Sequence, residues 1–272
     1  MLRSTLLLLT LFTAPLVHGT YQHNATHPAS NFTYTGETGP LAWASLSPAN
    51  RACSTSKHQS PINLSPSNAT GITFAKSRPN VSIPDVERAD LENLGSTLQV
   101  FVNGTTSFEG KQYKLAQFHF HTPSEHRIEE EYFPLEAHFV HQAAAGARLV
   151  LAVLFELTPD GNTTQLLTSV TRNISAVALP GSLAHTGPLH FQPLLAHFHS
   201  APLYRYEGSL TTPPCSEGVT WLVARDPLPL DVKTWLAFKK VMRFNARYTQ
   251  NTPGRENLIE VAAREVRRQR RG

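Results

Sequence analysis

The chain has 272 residues, and its 24 lysines and arginines against 20 acids leave a formal charge of only +4. That length fits one domain rather than two, and no linker-like stretch divides it. So small a surplus argues against a nucleic-acid binder, and no apolar run is long enough to span a bilayer or to act as a membrane anchor.

In chain order, residues 1–19 (MLRSTLLLLTLFTAPLVHG) combine one early positive charge, an apolar run from Leu6 to Phe12 and small residues before Thr20. This is the pattern of a signal peptide cleaved after Gly19, and it predicts a secreted, extracellular protein. Residues 20–253 read as the folded domain and 254–272 as a C-terminal segment with a basic tail. Sequons at Asn24, Asn31, Asn68, Asn80, Asn103, Asn162 and Asn173 predict a glycoprotein with these positions in surface loops. Asn63 also begins a sequon, but a proline follows its serine. Two cysteines, Cys53 and Cys215, are expected to pair in an oxidising compartment, closing a loop of about 160 residues.

Strands are predicted at Leu98–Phe108, Tyr113–His121, Leu135–His141, Leu149–Leu157 and Gly218–Ala224, where β-branched, aromatic and alternating residues concentrate. Helical patterns fall at Leu230–Asn245, Thr163–Ile174 and Glu256–Val266. The organisation is mainly β with a few peripheral helices. At the end, AREVRRQRRG carries five arginines. A solvated tail is the ordinary reading of such a run, and attachment to an anionic polymer is the alternative.

The chemistry lies in QFHFHTPSEH (Gln117–His126) and LEAHFVH (Leu135–His141). Alternate strand residues share a face, so Gln117, His119 and His121 point one way while Phe118 and Phe120 point into a core. The same rule puts Glu136, His138 and Val140 on one face. If the two strands pair, three imidazoles converge. Three neutral nitrogens suit zinc and leave a fourth position for water, the arrangement of a catalytic site. Gln117 and Glu136 are then placed to accept the other ring N–H of a ligating histidine. His126 and His141 read as ordinary structural histidines, and no HExxH, G-x-S-x-G or phosphate-binding glycine loop is present.

YRYEGSLTTPPCSEGVTW (Tyr204–Trp221) and QSPIN (Gln59–Asn63), with the two histidine segments, resemble the α-class carbonic anhydrases from about Tyr34 to Gln250. The resemblance implies an α+β, mainly β domain, with a large central mixed, mostly antiparallel twisted sheet, a few short peripheral helices and the metal at the bottom of a cleft. It implies a zinc lyase that hydrates carbon dioxide reversibly to bicarbonate and a proton through zinc-bound hydroxide, with His119, His121 and His138 as ligands and Gln117 and Glu136 behind them. It assigns Thr211 and Glu125 to the relay that orients the hydroxide, and Tyr34 to ordered water near the entrance. Val140, Val153, Leu210 and Trp221 match the apolar shelf for carbon dioxide, and Thr212 the contact to bicarbonate. A Cys53–Cys215 bridge would pin the Thr211 loop, and Pro61 and Pro213-Pro214 resemble positions of cis bonds.

One departure concerns proton transfer. Where many relatives carry a histidine, this sequence has Ser96, which cannot exchange a proton near neutral pH as imidazole does. His23, His27, His185, His197 and His199 are possible substitutes, and external buffer is another route. Two rival functions remain: a non-catalytic carbonic-anhydrase-like binding module, and a secreted zinc esterase acting on larger substrates. The oligomeric state, homodimer included, is left open by the sequence.

Overall fold

A computed structural model describes residues 30–65 and 71–270. The signal-peptide segment, Asn24, Asn68, His23 and His27 lie outside the described residues. The strands are β1 (Asn63–Leu64), β2 (Thr73–Phe74), β3 (Asn80–Ser82), β4 (Asp90–Asn93), β5 (Leu98–Phe101), β6 (Thr105–Phe108), β7 (Lys111–His121), β8 (Arg127–Ile128), β9 (Leu135–Gln142), β10 (Arg148–Leu157), β11 (Leu183–His185), β12 (Leu203–Ser209), β13 (Glu217–Ala224) and β14 (Leu228–Leu230). The helices are α1 (Trp43–Leu46), α2 (Ala52–Thr55), α3 (Gln165–Thr171), α4 (Gln192–Ser200), α5 (Val232–Met242) and α6 (Leu258–Gln269). None is long and apolar enough, among the described residues, to cross a membrane.

One large sheet runs in the order β11-β4-β5-β7-β9-β10-β13-β12-β2. Most neighbours are antiparallel, and β10 pairs parallel with β13 and β14, so the sheet is mixed. The stretch expected as one strand at Leu98–Phe108 is two. β5 pairs with β7 at Gln99↔His119, and β6 pairs with it further back, at Thr105↔Lys114. The break falls at Gly104, where a Cβ would meet Ile83 Cγ1 at 3.0 Å and the Ser82 carbonyl at 3.1 Å. Only glycine lets the chain pass so close to its neighbour.

Alternation sorts the strand residues into two apolar layers. Phe118, Phe120, Ala137, Phe139, Leu151 and Val153 belong to the larger core, with Leu167, Leu194, Phe198 and Phe238 of the helices. Phe118 and Phe139 stack across the strand pair with ring centroids 4.8 Å apart. On the other face, Val150, Ala152, Leu154, Tyr206, Val219 and Trp221 form a second cluster.

The face of β7 changes partway along the strand. Tyr113 and Leu115 face the large core, yet so do Phe118 and Phe120. The pairing with β9 steps from Leu115↔His141 to Gln117↔Val140, so Ala116 is an extra residue opposite no partner. This bulge inverts the parity of everything beyond it. His119 and His121 therefore turn to the face away from the large core.

The strongest helix, α5, starts where the Asp231 carboxylate accepts the Thr234 N–H at 2.9 Å and stops at Arg243, whose φ is 58°. In α6 the Asn257 side chain takes the capping role, accepting from Ile259 N–H.

Candidate active site

β7 and β9 bring His119 directly opposite His138 and His121 opposite Glu136. The ring centroids of His119, His121 and His138 are 4.6 to 5.2 Å apart, and one ring nitrogen from each lies within 4.8 Å of the others.

The second nitrogen of each ring is already engaged. His119 donates from Nδ1 to Gln117 Oε1 at 2.9 Å, His121 from Nδ1 to the Asn245 carbonyl at 2.8 Å, and His138 from Nε2 to Glu136 Oε1 at 2.7 Å. These acceptors fix the tautomers and leave His119 Nε2, His121 Nε2 and His138 Nδ1 as the free donors of lone pairs. Burial lowers all three rings as acids, His121 to about 4, so they stand neutral at physiological pH. His121 Nε2 is buried and has no hydrogen-bond partner. Three neutral, converging nitrogens, one of them orphaned, fit a zinc ion.

Glu136 is the anchor of this group. Its Oε1 accepts from His138 and from His126 Nδ1 at 2.6 Å, and its Oε2 accepts the backbone N–H groups of Glu125 at 2.7 Å and His126 at 2.9 Å. Burial alone would raise its pKa, but His126, His138 and their hydrogen bonds hold it well below the usual range. His126, Glu136 and His138 could also hold an ion by distance. Their nitrogens and oxygens bond one another instead, so they form a positioning network.

The network continues from His126 Nε2, which accepts from the Tyr206 hydroxyl at 2.6 Å, to Ser60 Oγ at 2.8 Å from that hydroxyl. Ser60 Oγ accepts the Ser209 N–H, and Ser60 N–H donates to Ser209 Oγ. Hydrogen bonds thus tie His138 to the residue two before Thr211.

Glu125 and Thr211 are both buried. Oε1 of Glu125 accepts the Arg247 backbone N–H at 2.8 Å, and Oε2 lies 3.4 Å from His121 Nε2. Burial pushes this carboxyl up to about 7, opposed by His138, the neighbouring Thr211 hydroxyl and the Arg247 N–H. The Thr211 hydroxyl favours the ionised form by its approach, although no bond of ordinary geometry closes on Oε2. A dication beside the histidines would act in the same direction as Thr211.

The apolar wall departs from expectation at one residue. Val140 and Leu210 pack against the cluster that holds Val150 and Trp221, and Val150 pairs with both Val140 and Trp221. The Trp221 ring is 4.8 Å from that of His138, and its Nε1 donates to the Ser209 carbonyl. Val153, expected in this wall, lies on the opposite face in the large core. Odd and even positions of β10 face opposite ways, so the expected position was on the wrong parity and Val150 is the residue of this strand that pairs with Val140 and Trp221 in the wall.

Thr212 is half-buried, and its carbonyl accepts the Cys215 N–H at 2.8 Å. Cys215 is joined to Cys53, 162 residues away, and its carbonyl accepts from Gln59 Nε2. Cis bonds precede Pro61 and Pro214, and a third, not anticipated, precedes Pro123. Tyr34 is buried edge-on to Phe32 and Trp43, and its hydroxyl has no partner. Ser96 is also buried, with Oγ 2.7 Å from Ser30 Oγ. His185 pairs with Asp90 at 3.0 Å on the edge of the sheet, and His197 and His199 sit on α4. None of the three joins the histidine cluster.

Tyr206, Asn245 and Val150 were not singled out by sequence, and His126, read there as a structural histidine, takes that part by holding Glu136.

A mixed sheet carrying three histidines, a buried Glu–Thr pair and an apolar wall defines a candidate metalloenzyme centre. The family model described as eukaryotic-type carbonic anhydrase matches residues 38–270. A carbonic anhydrase of Neisseria gonorrhoeae is 40% identical over 223 residues, covering 81% of this chain and 80% of that protein. The fungal α-carbonic anhydrase of Aspergillus oryzae superposes with a TM-score of 0.82 at 45% identity, over 87% of this chain and 100% of that one. That of Thermovibrio ammonificans, solved with the inhibitor sulfanilamide, gives 0.74 at 35% identity, over 84% and 99%. The chain belongs to the α-class carbonic anhydrases.

Proposed function

We propose that this chain is a secreted zinc carbonic anhydrase that hydrates carbon dioxide reversibly to bicarbonate and a proton. The observation that carries the reading is the convergence of His119 Nε2, His121 Nε2 and His138 Nδ1 beside Val140, Val150, Leu210 and Trp221. Bound there, zinc would lower the pKa of water to roughly 7 and so supply a nucleophile at neutral pH.

The chain's own residues do the rest. Gln117, the Asn245 carbonyl and Glu136 hold the three rings in the tautomers that present a lone pair. With Glu125 ionised, the Thr211 hydroxyl donates to it and has only acceptor capacity left, so it orients the attacking oxygen. Carbon dioxide has no net charge and no donor, and an apolar wall accepts it without desolvating a polar group. Thr212 is available to bicarbonate. The same nucleophile would hydrolyse small esters weakly, but this wall does not favour a larger polar substrate.

Ser96 cannot carry a proton out, and its hydroxyl is engaged with Ser30. His185, His197 and His199 stand apart from the histidine cluster, which leaves external buffer, or a group outside the described residues such as His23 or His27, to take the proton. Secretion is supported by the disulfide. Asn31, Asn103 and Asn162 are exposed outside strands, Asn80 is exposed but on strand β3 rather than in the expected loop, and Asn173 is exposed with its Nδ2 donating to the His185 carbonyl at 2.8 Å. Asn63 instead exchanges two hydrogen bonds with Glu130.

The reading is tested by Thr211→Ala in zinc-loaded protein. Loss of an orienting group should slow carbon dioxide hydration on the order of 10²-fold with zinc retained. Unchanged turnover would remove Thr211 from the mechanism.

A further inference from the structure

Helix α5 has a face that neither the core nor the reaction uses. Thr234 and Phe238 are buried, and Trp235, Ala237, Val241 and Met242 pack against the large core. The remaining positions, Val232, Lys233, Leu236, Lys239 and Lys240, are all exposed, as is Arg243 at the helix end. At 3.6 residues per turn they fall in one stripe roughly 120° wide. Val232 and Leu236 are each 50% exposed and lie one turn apart, so their side chains adjoin in water. Cations flank them on both sides.

Nothing nearby offsets this charge. Among the described residues, none of Lys233, Lys239, Lys240 and Arg243 forms an ion pair. Lys239 Nζ lies 4.6 Å from the centre of the Trp235 ring. The acid at the helix start, Asp231, accepts the Thr234 N–H that caps the helix. The neighbours of α5, helix α3 and the 3-10 turn Ile174–Val177, contain no acid, and Arg172 lies between them. The other basic helix differs: in α6, Arg264 pairs with Glu256 and Glu265.

The two features together select the partner. Unpaired cations call for a surface dense in negative charge, and the aliphatic pair gains only where it leaves water. A soluble polyanion would meet the first need and leave Val232 and Leu236 wet. A bilayer with anionic phosphate headgroups meets both: the aliphatic side chains enter at the acyl boundary, and the lysine and arginine stems lie along it with their heads among the phosphates.

We propose that this face of α5 docks the protein reversibly, lying flat, on an anionic lipid surface. The orientation suits the enzyme. Phe238 of α5 packs on Phe120 with ring centroids 4.7 Å apart, on the face of β7 opposite to His119 and His121. The histidine cluster is therefore turned away from the docked surface.

The test is co-sedimentation of the full protein with unilamellar vesicles of phosphatidylglycerol and phosphatidylcholine in equal parts. Binding is expected to these vesicles, not to phosphatidylcholine alone, and release is expected at about 1 M salt, where the screening length falls to about 3 Å. The Lys233→Gln, Lys240→Gln double variant should bind about 30-fold more weakly. Leu236→Ser, which keeps every charge, should bind about fivefold more weakly. Carbon dioxide hydration in solution should be unchanged in both, which shows that they are folded. The proposal is overturned if the protein does not sediment with the anionic vesicles, if it binds phosphatidylcholine equally well, or if the double variant binds like the parent. A loss in the double variant with none in Leu236→Ser would mark a plain polyanion contact, and would overturn the bilayer as the partner.

Discussion

His138 donates from Nε2 to Glu136 Oε1 across 2.7 Å, which leaves Nδ1 as the nitrogen of that ring free to bind an ion. The carboxylate accepts four hydrogen bonds in all, two from rings and two from backbone. An amide offers one oxygen and turns an NH₂ toward donors. Glu136→Gln should therefore weaken zinc binding by about 10- to 100-fold, read by competition with a chelator. Unaltered affinity would show that Glu136 does not set the His138 tautomer.

Val150 and Val153 separate the two faces of one strand. Val150→Phe should crowd the wall beside His138 and lower kcat/KM for carbon dioxide, with zinc stoichiometry intact. Val153→Ala should leave kcat/KM unchanged and cost about 2 kcal/mol of stability by emptying part of the large core. Denaturant unfolding and hydration assays on both variants check this. A loss of activity in the second with no loss in the first would reverse the assignment of faces.

The Cys53–Cys215 bridge closes a 162-residue loop. Chain entropy gives it roughly 5 kcal/mol of stabilisation, a value from the loop-closure model. It also holds the loop in which Cys215 N–H bonds the Thr212 carbonyl. The Cys53→Ser, Cys215→Ser double variant should unfold at markedly lower denaturant concentration and show reduced kcat/KM. Wild-type values for both would mean that the fold holds this loop without the bridge.

His141 is buried, its Nδ1 donating to the Phe139 carbonyl at 2.8 Å and its Nε2 3.0 Å from the Thr106 hydroxyl. Desolvation lowers its pKa from 6.5 to about 4. Between those values the unfolded chain binds a proton that the folded one refuses, so stability falls as pH falls from 6.5 toward 4. The full effect is on the order of 3 kcal/mol. His141→Gln should flatten this part of the stability profile, measured by unfolding at pH 7 and pH 4.5. An equally steep profile in the variant would place the titration elsewhere.

The alternation in Gln117–His121 and Leu135–His141 is local, and it is enough to put the three histidines on strand faces from which they converge if the strands pair; the pairing itself comes from the fold. The bulge at Ala116 is not local. Alternation continued back to Tyr113 would put Tyr113 and Leu115 on the histidine face, whereas both lie in the large core. The break at Gly104 likewise depends on Ile83 and Ser82, distant in sequence. Val153 was placed by the family resemblance, and an all-apolar strand such as LVLAVLF has no polar residue whose alternation could have corrected it. His126, Tyr206 and Asn245 act through partners 10 to 125 residues away, and only folding reveals those partners.

Stopped-flow hydration of carbon dioxide by the zinc-loaded protein, over a series of imidazole buffer concentrations and with His138→Ala alongside, tests the central claim most directly. The account predicts turnover that rises with buffer, because Ser96 carries no proton, and that falls to background in the variant. An inert zinc-replete protein, or a variant as active as the parent, would contradict it.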